Sequence, residues 1–265
     1  MDILETSDLT RRFGALTAVD TLNIAVEAGG IFGLLGPNGA GKSTTLKMLT
    51  TLLPPTSGTA RVAGFDIVHQ AAQVRRVIGY VPQLLSADGA LTGYENLLMF
   101  AKLYDIRGRE RELRIRQSLE LMQLQNAAGK LVNTYSGGMI RRLEIAQSML
   151  HRPPVLFLDE PTIGLDPLAR ASVWDHIREL KSRYDTTIVL TTHYMEEADS
   201  LCNRVAIMHQ GRIAAIGTPA ELKAALGGPE VTLDDVFAHY AGAELNQGGG
   251  FREVTRTRRT ARRVG

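Results

Sequence analysis

The sequence predicts an α/β fold in which a mainly parallel sheet forms the core, with an antiparallel β subdomain and a helical subdomain beside it. Two apolar runs, residues 31–35 and 155–158, lack the polar alternation of a half-exposed strand, which indicates strands buried on both faces. A loop and then a helical pattern follow each run. With 265 residues and no visible internal repeat, the chain has room for one such domain.

The N-terminal part of the chain predicts the antiparallel subdomain. Residues 1–30 contain two short strand patterns, Asp2–Glu5 and Leu22–Val26, and a third follows at Thr59–Val62. Short strands separated by turn residues favour hairpins and antiparallel pairing. We therefore expect these strands to form a second sheet beside the parallel core.

A glycine-rich loop follows the first apolar run. It consists of Gly36, Pro37, Asn38, Gly39, Ala40, Gly41, Lys42 and Ser43, with Thr44 starting a helical pattern. Gly, four residues and then Gly-Lys-Ser is the spacing of a phosphate-binding loop, in which glycines let backbone N–H groups turn towards a phosphate. Lys42 offers a charge to the terminal phosphates, and the Ser43 hydroxyl can bind Mg²⁺. The alternative is an ordinary glycine-rich turn, which the flanking strand and helix disfavour.

Two acids, Asp159 and Glu160, follow the second apolar run directly. Open α/β sheets bind ligands at the carboxyl ends of their strands, which is where both motifs fall. Asp159 is placed to hold Mg²⁺ from the other side of the phosphate site, and Glu160 to orient or deprotonate an attacking water. The alternative is that the two acids begin a surface loop.

From about residue 84 to residue 152 the pattern changes to helices. Glu95–Tyr104 and Glu110–Leu124 are amphipathic, and Pro153-Pro154 ends the section. The core then resumes with a helix at 168–184 and a strand at 187–191. Further on, Thr218 predicts the cap of another helix.

A third motif lies inside the helical section. Ser136 precedes a helical pattern and predicts an N-cap, while Gly137 and Gly138 leave the helix end open to an anion. The stretch Tyr135–Met139 is similar to the Leu-Ser-Gly-Gly-Gln signature of ABC proteins. With the motifs above, the chain resembles the ATP-binding subunits of ABC transporters over roughly residues 1–240.

The remaining family motifs occur in order along the chain. They are an aromatic residue that stacks on adenine (Phe13), the Q-loop glutamine (Gln83), the D-loop aspartate (Asp166) and the switch histidine (His193). Alone, each has an ordinary structural explanation; Asp166 before Pro167, for example, is also a good helix start. Together with the three motifs above, their occurrence in the family's order favours the functional explanation.

The resemblance implies the P-loop NTPase core of the ABC ATPase fold, with ATP and Mg²⁺ as cofactors. The catalytic residues it implies are Lys42, Gln83, Glu160 and His193. The Mg²⁺ ligands it implies are Ser43, Gln83 and Asp159. The nucleotide contacts it implies are Phe13, residues 36–44, Ser136, Gly137, Gly138 and Asp166.

The signature departs from the family pattern at both ends. Tyr135 replaces leucine, and Met139 replaces glutamine and so removes its hydrogen bonds. Phe13 replaces the commoner tyrosine, which keeps the stacking surface and drops the hydroxyl. The residues implied to be catalytic are all present, so we expect an active ATPase.

The resemblance also implies partners. In the family, the phosphate loop of one domain meets the signature of another across ATP, so a chain with one copy of each is expected to form a two-fold dimer. No apolar run approaches the ~20 residues that cross a bilayer, so a transporter needs a separate permease of about six spans. The helical section would be its docking surface.

Three further stretches resemble the daunorubicin-resistance branch of the family. They are Leu91–Leu97, Thr191–Ala198 and Thr232–Phe237. This branch implies an ATP-hydrolysing motor for export of a drug, lipid or similar amphiphile, held at the cytoplasmic face of the membrane. The alternative within the family is another type of transporter. The single Cys202 fits a reducing cytosol.

Two other classes compete with this interpretation. A soluble ABC-type ATPase could act on nucleic acid or ribosomes, but such relatives usually carry two nucleotide domains or a long coiled-coil insertion. A P-loop kinase would not carry Ser136-Gly137-Gly138. Co-purification from detergent-solubilised membranes separates a transporter subunit from the soluble alternative.

The net charge of +2 is unevenly placed. Residues 251–265 hold six arginines and one acid, and without them the chain has 24 basic and 27 acidic residues. We expect residues 241–265 to form a flexible Gly/Arg-rich tail, either solvated or in contact with anionic lipid headgroups. Nucleic acid is a weaker partner because no aromatic residues alternate with the arginines.

Overall fold

The computed structural model describes residues 1–228 and 230–245 of the chain. The boundary predicted at residue 240 lies within the last described helix, Leu233–Leu245. The arginine-rich residues 251–265 lie outside the described residues, so the expected lipid contact stays a prediction.

A six-stranded sheet forms the centre of the fold. Its strands are β4 (Ile31–Leu35), β7 (Ile78–Val81), β8 (Val155–Asp159), β9 (Thr187–Thr192), β10 (Arg204–His209) and β11 (Arg212–Gly217). Their spatial order is β11-β10-β4-β9-β8-β7, and every neighbouring pair is parallel except β10 with β11. The predicted mainly parallel sheet is confirmed.

The second sheet is antiparallel, as predicted. Its strands are β1 (Asp2–Phe13), β2 (Leu16–Leu22), β3 (Ala25–Glu27), β5 (Ser57–Val62) and β6 (Phe65–Asp66). Strand β1 is the long central member and pairs with β2, β3 and β5. The short strand predicted at Asp2–Glu5 is therefore only the first part of a 12-residue strand.

The single strand predicted at Leu22–Val26 is wrong, because the chain breaks between β2 and β3. Thr21 has a left-handed φ of 54°. The Asn23 amide donates to the Asp8 carboxylate at 2.9 Å and accepts from the Asp8 N–H at 2.8 Å. These side-chain bonds replace the ladder and let β2 and β3 pair with different parts of β1.

Nine α-helices lie in the described part of the chain. They are α1 (Lys42–Leu49), α2 (Ala71–Val77), α3 (Gly93–Leu103), α4 (Gly108–Leu121), α5 (Gly137–Met149), α6 (Pro167–Tyr184), α7 (Met195–Leu201), α8 (Pro219–Ala224) and α9 (Leu233–Leu245). Helices α3, α4 and α5 form the predicted helical subdomain. Helix α4 ends at Leu121 rather than at the predicted Leu124, and Gln123 beyond it has a left-handed φ of 53°.

The predicted helix starts are confirmed by side-chain caps. Ser136 Oγ accepts from the Met139 N–H at 3.3 Å, and Asp166 Oδ1 accepts from the Ala169 N–H at 2.9 Å. Thr218 and Glu221 form a capping box at α8. Such caps supply partners to N–H groups that the helix leaves unpaired.

Apolar clusters cover both faces of the parallel sheet. Alternate residues of the strands point to opposite faces, so Leu156 and Leu158 pack with α3, α5 and α6, whereas Val155 and Phe157 pack towards α1 and the antiparallel sheet. All residues of β4, β8 and β9 are buried. Between residues 1 and 245, Pro229 aside, no helix has the length and apolarity of a membrane span.

His151 follows the end of α5, and its packing makes the stability of the fold depend on pH. Its ring stacks on Tyr104 at a centroid distance of 3.8 Å and contacts the Ile78 carbonyl oxygen at 3.0 Å. Burial lowers the pKa of His151 to about 4. Between pH 6.5 and 4 the unfolded chain therefore binds a proton that the folded chain excludes, and stability is lost as pH falls through this window.

We expect His151→Phe to weaken this pH dependence, because phenylalanine keeps the ring stack and does not titrate. The check is the free energy of unfolding from urea titrations at pH 7, 5.5 and 4.5. The variant should lose less stability than the wild type between pH 7 and 4.5. Equal losses in both proteins would show that His151 is not an excluded proton site.

Candidate functional site

Three loops meet at the carboxyl edge of the parallel sheet. Strand β9 lies between β4 and β8, so the glycine-rich loop after β4, the acids at the end of β8 and His193 after β9 come from neighbouring strands. The predicted juxtaposition of the first two motifs follows from this strand order.

The glycine-rich loop is packed so closely that two of its positions admit only glycine. A Cβ on Gly36 would lie 2.2 Å from the Met208 carbonyl oxygen. Gly41 has a φ of +105°, and a Cβ there would lie 2.4 Å from the Ala18 carbonyl oxygen. The backbone therefore lies directly against its neighbours and ends at the N-terminus of α1, which is the geometry that favours a bound phosphate.

Lys42 lies buried within this loop. Its Nζ donates to the carbonyl oxygens of Gly36 at 2.8 Å and Pro37 at 3.1 Å, and it lies 3.2 Å from Glu160 Oε1. Both charged side chains of the pair are about 95% buried. The lysine charge is thus fixed between the phosphate loop and the acid that follows β8.

Asp159 connects the phosphate loop to the central strands. Its Oδ1 accepts from Ser43 Oγ at 2.9 Å and from Thr191 Oγ1 at 2.6 Å. A hydroxyl and a carboxylate in contact are hard oxygen donors, the type that Mg²⁺ prefers, so Ser43 and Asp159 fit the predicted Mg²⁺ site.

Thr191 is a residue that the sequence analysis missed. Besides its bond to Asp159, its hydroxyl accepts from the Glu160 N–H at 2.9 Å. One buried side chain therefore holds both acids. The available signal was a hydroxyl residue that follows the apolar run 188–190, near the carboxyl end of the strand and shortly before His193.

Glu160 has an unusual backbone and two charged or polar neighbours. Its φ of +48° is in the left-handed region, which costs a non-glycine residue about 1–3 kcal/mol and is common at functional sites. Its Oε2 lies 3.0 Å from His193 Nδ1, while Oε1 faces Lys42. The carboxylate is held on both sides at the mouth of the phosphate loop.

Two further ionisable groups, one partly and one fully buried, lie near this cluster. Burial, with a contribution from the nearby Asp159 charge, raises the pKa of Tyr80 to about 12. Burial also raises the pKa of Glu197, which accepts from Thr162 Oγ1 at 2.8 Å and Trp174 Nε1 at 2.9 Å. Glu197 thereby ties the loop after Glu160 to the helix after His193.

A cleft of about 430 Å³ opens beside the cluster. It is lined by Phe13, Leu16, Ala18, residues 38–44, Gln83 and Glu160. Phe13 is half-exposed at this cleft, with the Arg11 guanidinium 4.6 Å from its ring centroid. Arg11 also donates to the Pro54 carbonyl oxygen at 2.8 Å, so the ring is supported as a flat surface of the kind that bases stack on.

The signature and D-loop residues lie elsewhere. Ser136, Gly137, Gly138 and Asp166 do not line this cleft. A Cβ on Gly138 would lie 3.0 Å from Ala169 Cβ, and one on Gly137 would lie 3.3 Å from Leu165 Cδ2. The signature and the segment around Asp166 therefore form one patch, separate from the phosphate loop of the same chain.

A family model described as "ABC transporter" matches residues 19–163, which is more than half of the chain. The chain belongs to the ABC transporter family. The matched region contains the phosphate loop, Gln83, the signature and both acids. Membership implies ATP binding and hydrolysis, and the ABC ATPase fold predicted from the sequence is confirmed.

Curated relatives and solved structures agree with this assignment. The chain is 48% identical over 224 residues to the daunorubicin/doxorubicin resistance ATP-binding protein DrrA of Streptomyces peucetius, covering 84% of this chain and 68% of the relative. It is 42% identical to the probable multidrug ABC transporter ATP-binding protein YbhF of Escherichia coli, covering 89% of this chain and 41% of the relative. A solved ATP-binding subunit of an ABC transporter superposes with a TM-score of 0.80 at 30% identity, covering 90% of this chain and 99% of that structure.

The position of Thr191 leads to a testable expectation for this ABC protein. Thr191→Val keeps the side-chain shape and removes the hydroxyl, so buried Asp159 loses one donor. We expect a stability loss of about 1.5–3 kcal/mol and slower ATP hydrolysis, since Glu160 loses one anchor. Thermal unfolding and steady-state ATPase assays measure the two effects.

The matched control is Thr187→Val on the same strand. The Thr187 hydroxyl accepts from the Gly29 N–H at 2.9 Å, at the end of β9 away from the cluster. This control should keep wild-type turnover. If Thr191→Val also keeps wild-type turnover, the hydrogen bonds of the Thr191 hydroxyl to Asp159 and Glu160 are not needed for ATP hydrolysis.

Proposed function

We propose that the chain is the ATP-hydrolysing subunit of a membrane exporter. The observation that carries the proposal is the cluster of Lys42, Glu160 and His193, in which one buried carboxylate contacts both a lysine and a histidine beside the cleft. This is the arrangement expected of a site that binds a terminal phosphate and activates water next to it.

Each residue of the cluster has a separate role in the proposal. Lys42 offers its charge to the terminal phosphates, and Glu160 orients a water molecule and accepts its proton. His193 holds the Glu160 carboxylate from the other side. Mg²⁺ bound at Ser43 and Asp159, with Gln83 as a further contact, would neutralise phosphate charge.

Adenine recognition is assigned to Phe13. The half-exposed ring lines the cleft, and its aromatic surface would stack on the base while the phosphate loop holds the other end of the nucleotide. Backbone N–H groups of residues 38–44 would bind the phosphates. Pro37 has no N–H, and the Gly36 N–H already donates to the Thr192 carbonyl oxygen at 3.2 Å.

A second copy of the chain would complete the site. The patch containing Ser136, Gly137, Gly138 and Asp166 does not line the cleft of its own chain, and two such chains related by a two-fold axis would each supply this patch to the other. One dimer would then hold two ATP molecules.

A separate permease of about six spans is proposed as the membrane partner. Leu84 and Leu85 directly follow Gln83 and are 82% and 51% exposed. Leu103 and Leu113 add exposed apolar surface on the helical subdomain, which suits a protein partner better than water. Because the named relatives are drug-resistance proteins, we propose export of a drug, lipid or similar amphiphile from the cytoplasmic face.

The test of this function is Glu160→Gln. Glutamine has nearly the same shape but cannot accept a proton from water at neutral pH, so hydrolysis should fall about 10²–10⁴-fold while ATP still binds. With Mg-ATP the variant should accumulate as a dimer, measured by size-exclusion chromatography with light scattering.

Glu196→Gln serves as the control, because Glu196 is exposed on α7 and contacts none of the cluster. It should hydrolyse ATP normally and stay in the wild-type oligomeric state. Normal hydrolysis by Glu160→Gln would remove Glu160 from the catalytic role, and an ATP-bound monomer would contradict the dimer.

A further inference from the structure

The segment that joins β7 to the helical subdomain, residues 82–88, is held by one face of α5. This linking segment contains Gln83, which lines the cleft, and the exposed Leu84 and Leu85. Four polar side chains of α5 are buried and contact this region or its neighbours: Arg141, Glu144, Gln147 and Ser148. Their spacing of three or four residues places them on one helical face.

Arg141 holds the start of the linking segment. Its Nη1 donates to the Pro82 carbonyl oxygen at 2.7 Å, and its Nη2 donates to the Gln83 carbonyl oxygen at 2.8 Å. The guanidinium thus binds two successive carbonyl groups, that of the residue before Gln83 and that of Gln83 itself. This contact fixes the direction in which the Gln83 side chain leaves the chain.

Glu144 holds the far side of the same segment. Its Oε1 accepts from the Ser86 N–H, from Ser86 Oγ at 3.1 Å and from the Ala87 N–H at 3.3 Å. Its Oε2 lies 3.1 Å from Arg141 Nη1, and both side chains are only 2% exposed. The two residues therefore act as one ion pair with backbone anchors at either end.

The other two buried polar side chains of α5 make similar hydrogen bonds. Gln147 donates to Asn96 Oδ1 at 3.1 Å, and that oxygen also accepts from the Asp88 N–H at 3.0 Å. Ser148 donates to the Tyr80 carbonyl oxygen at 3.0 Å. Between the anchors at 82–83 and 86–87, only Leu84 and Leu85 project into solvent.

A buried ion pair adds little to stability compared with well-packed apolar residues, because desolvation offsets the attraction. Its value here lies in the directed hydrogen bonds, which apolar side chains cannot supply. The backbone atoms that the pair binds belong to the linking segment, which carries Gln83 and, directly after it, the two exposed leucines. The pair therefore fits a positioning role better than a stabilising one.

We propose that Arg141 and Glu144 are positioning residues that hold Gln83 at the cleft and couple the exposed Leu84–Leu85 pair to it through the backbone. The proposal rests on the proposed function, in which Gln83 contacts Mg²⁺ and the reacting phosphate. It assigns to α5, whose N-terminus carries Ser136, the task of setting the position of a side chain in the cleft of its own chain.

The principal test variant is the double substitution Arg141→Met/Glu144→Leu. Replacing a buried ion pair by apolar residues usually preserves folding, and it removes every anchor that the pair supplies. Hydrogen–deuterium exchange, without nucleotide, should be faster at the Ser86 and Ala87 amides and unchanged in β8 and β9. Turnover should fall about 10- to 100-fold, the effect of displacing a catalytic group by about 1 Å, with ATP affinity within about threefold of wild type.

The matched control is Arg142→Met on the same helix. Arg142 donates to the Met122 carbonyl oxygen at 2.8 Å, within the helical subdomain and away from the linking segment. This variant should keep normal exchange at Ser86 and Ala87 and normal turnover. Glu144→Gln is the second test variant, since it keeps side-chain volume and should give a smaller change in the same direction.

Gln83→Ala separates the two proposals. If it hydrolyses ATP normally, the role of Gln83 in the proposed function is wrong. If Gln83→Ala is slow while the double variant retains normal turnover, the positioning proposal is overturned. This holds even if the double variant exchanges faster at the Ser86 and Ala87 amides. Exchange that rises throughout the chain would also overturn it, since the pair would then be a general stabiliser.

Discussion

The position of β9 between β4 and β8 determines how the parts of the site come together. Parallel neighbours lie about 4.8 Å apart, so the loops after β4 and β8 start two strand spacings from each other. The Thr191 hydroxyl on β9 spans part of this gap by binding Asp159 Oδ1 at 2.6 Å, and Ser43 reaches the same oxygen from α1. The phosphate loop and the acids are thus joined through the strand between them.

This arrangement places several groups that cost folding free energy at one edge of the sheet. Lys42, Asp159 and Glu160 are buried charges, and Glu160 also has a left-handed backbone. Each charge has close partners, which offsets part of the desolvation cost without making the cluster a source of stability. The apolar clusters on both faces of the sheet hold the strands that carry these groups. The geometry of the site is therefore maintained by packing some distance from it.

Contiguous motifs were predictable from the sequence, whereas contacts between distant residues were not. Gly36–Ser43 and Val155–Glu160 each carry strand, loop and chemistry within a few neighbouring residues, so a local pattern is sufficient. Arg141 and Glu144 appear in the sequence as part of an ordinary helix, and their hydrogen bonds form only because residues 82–87 fold against them. The strand predicted at Leu22–Val26 failed for a similar reason, since its break depends on Asp8.

In the proposed dimer, the cleft of one chain needs the signature patch of a second copy. Complementation tests it directly: Lys42→Ala chains are mixed with Ser136→Asp chains, in which aspartate keeps the helix cap and repels phosphate. Each variant alone should be inactive. The mixture should recover roughly a quarter of wild-type turnover, because half of the dimers would be mixed and each would hold one intact site of two. A mixture as inactive as its components, with both proteins folded and dimerising, would contradict the shared site.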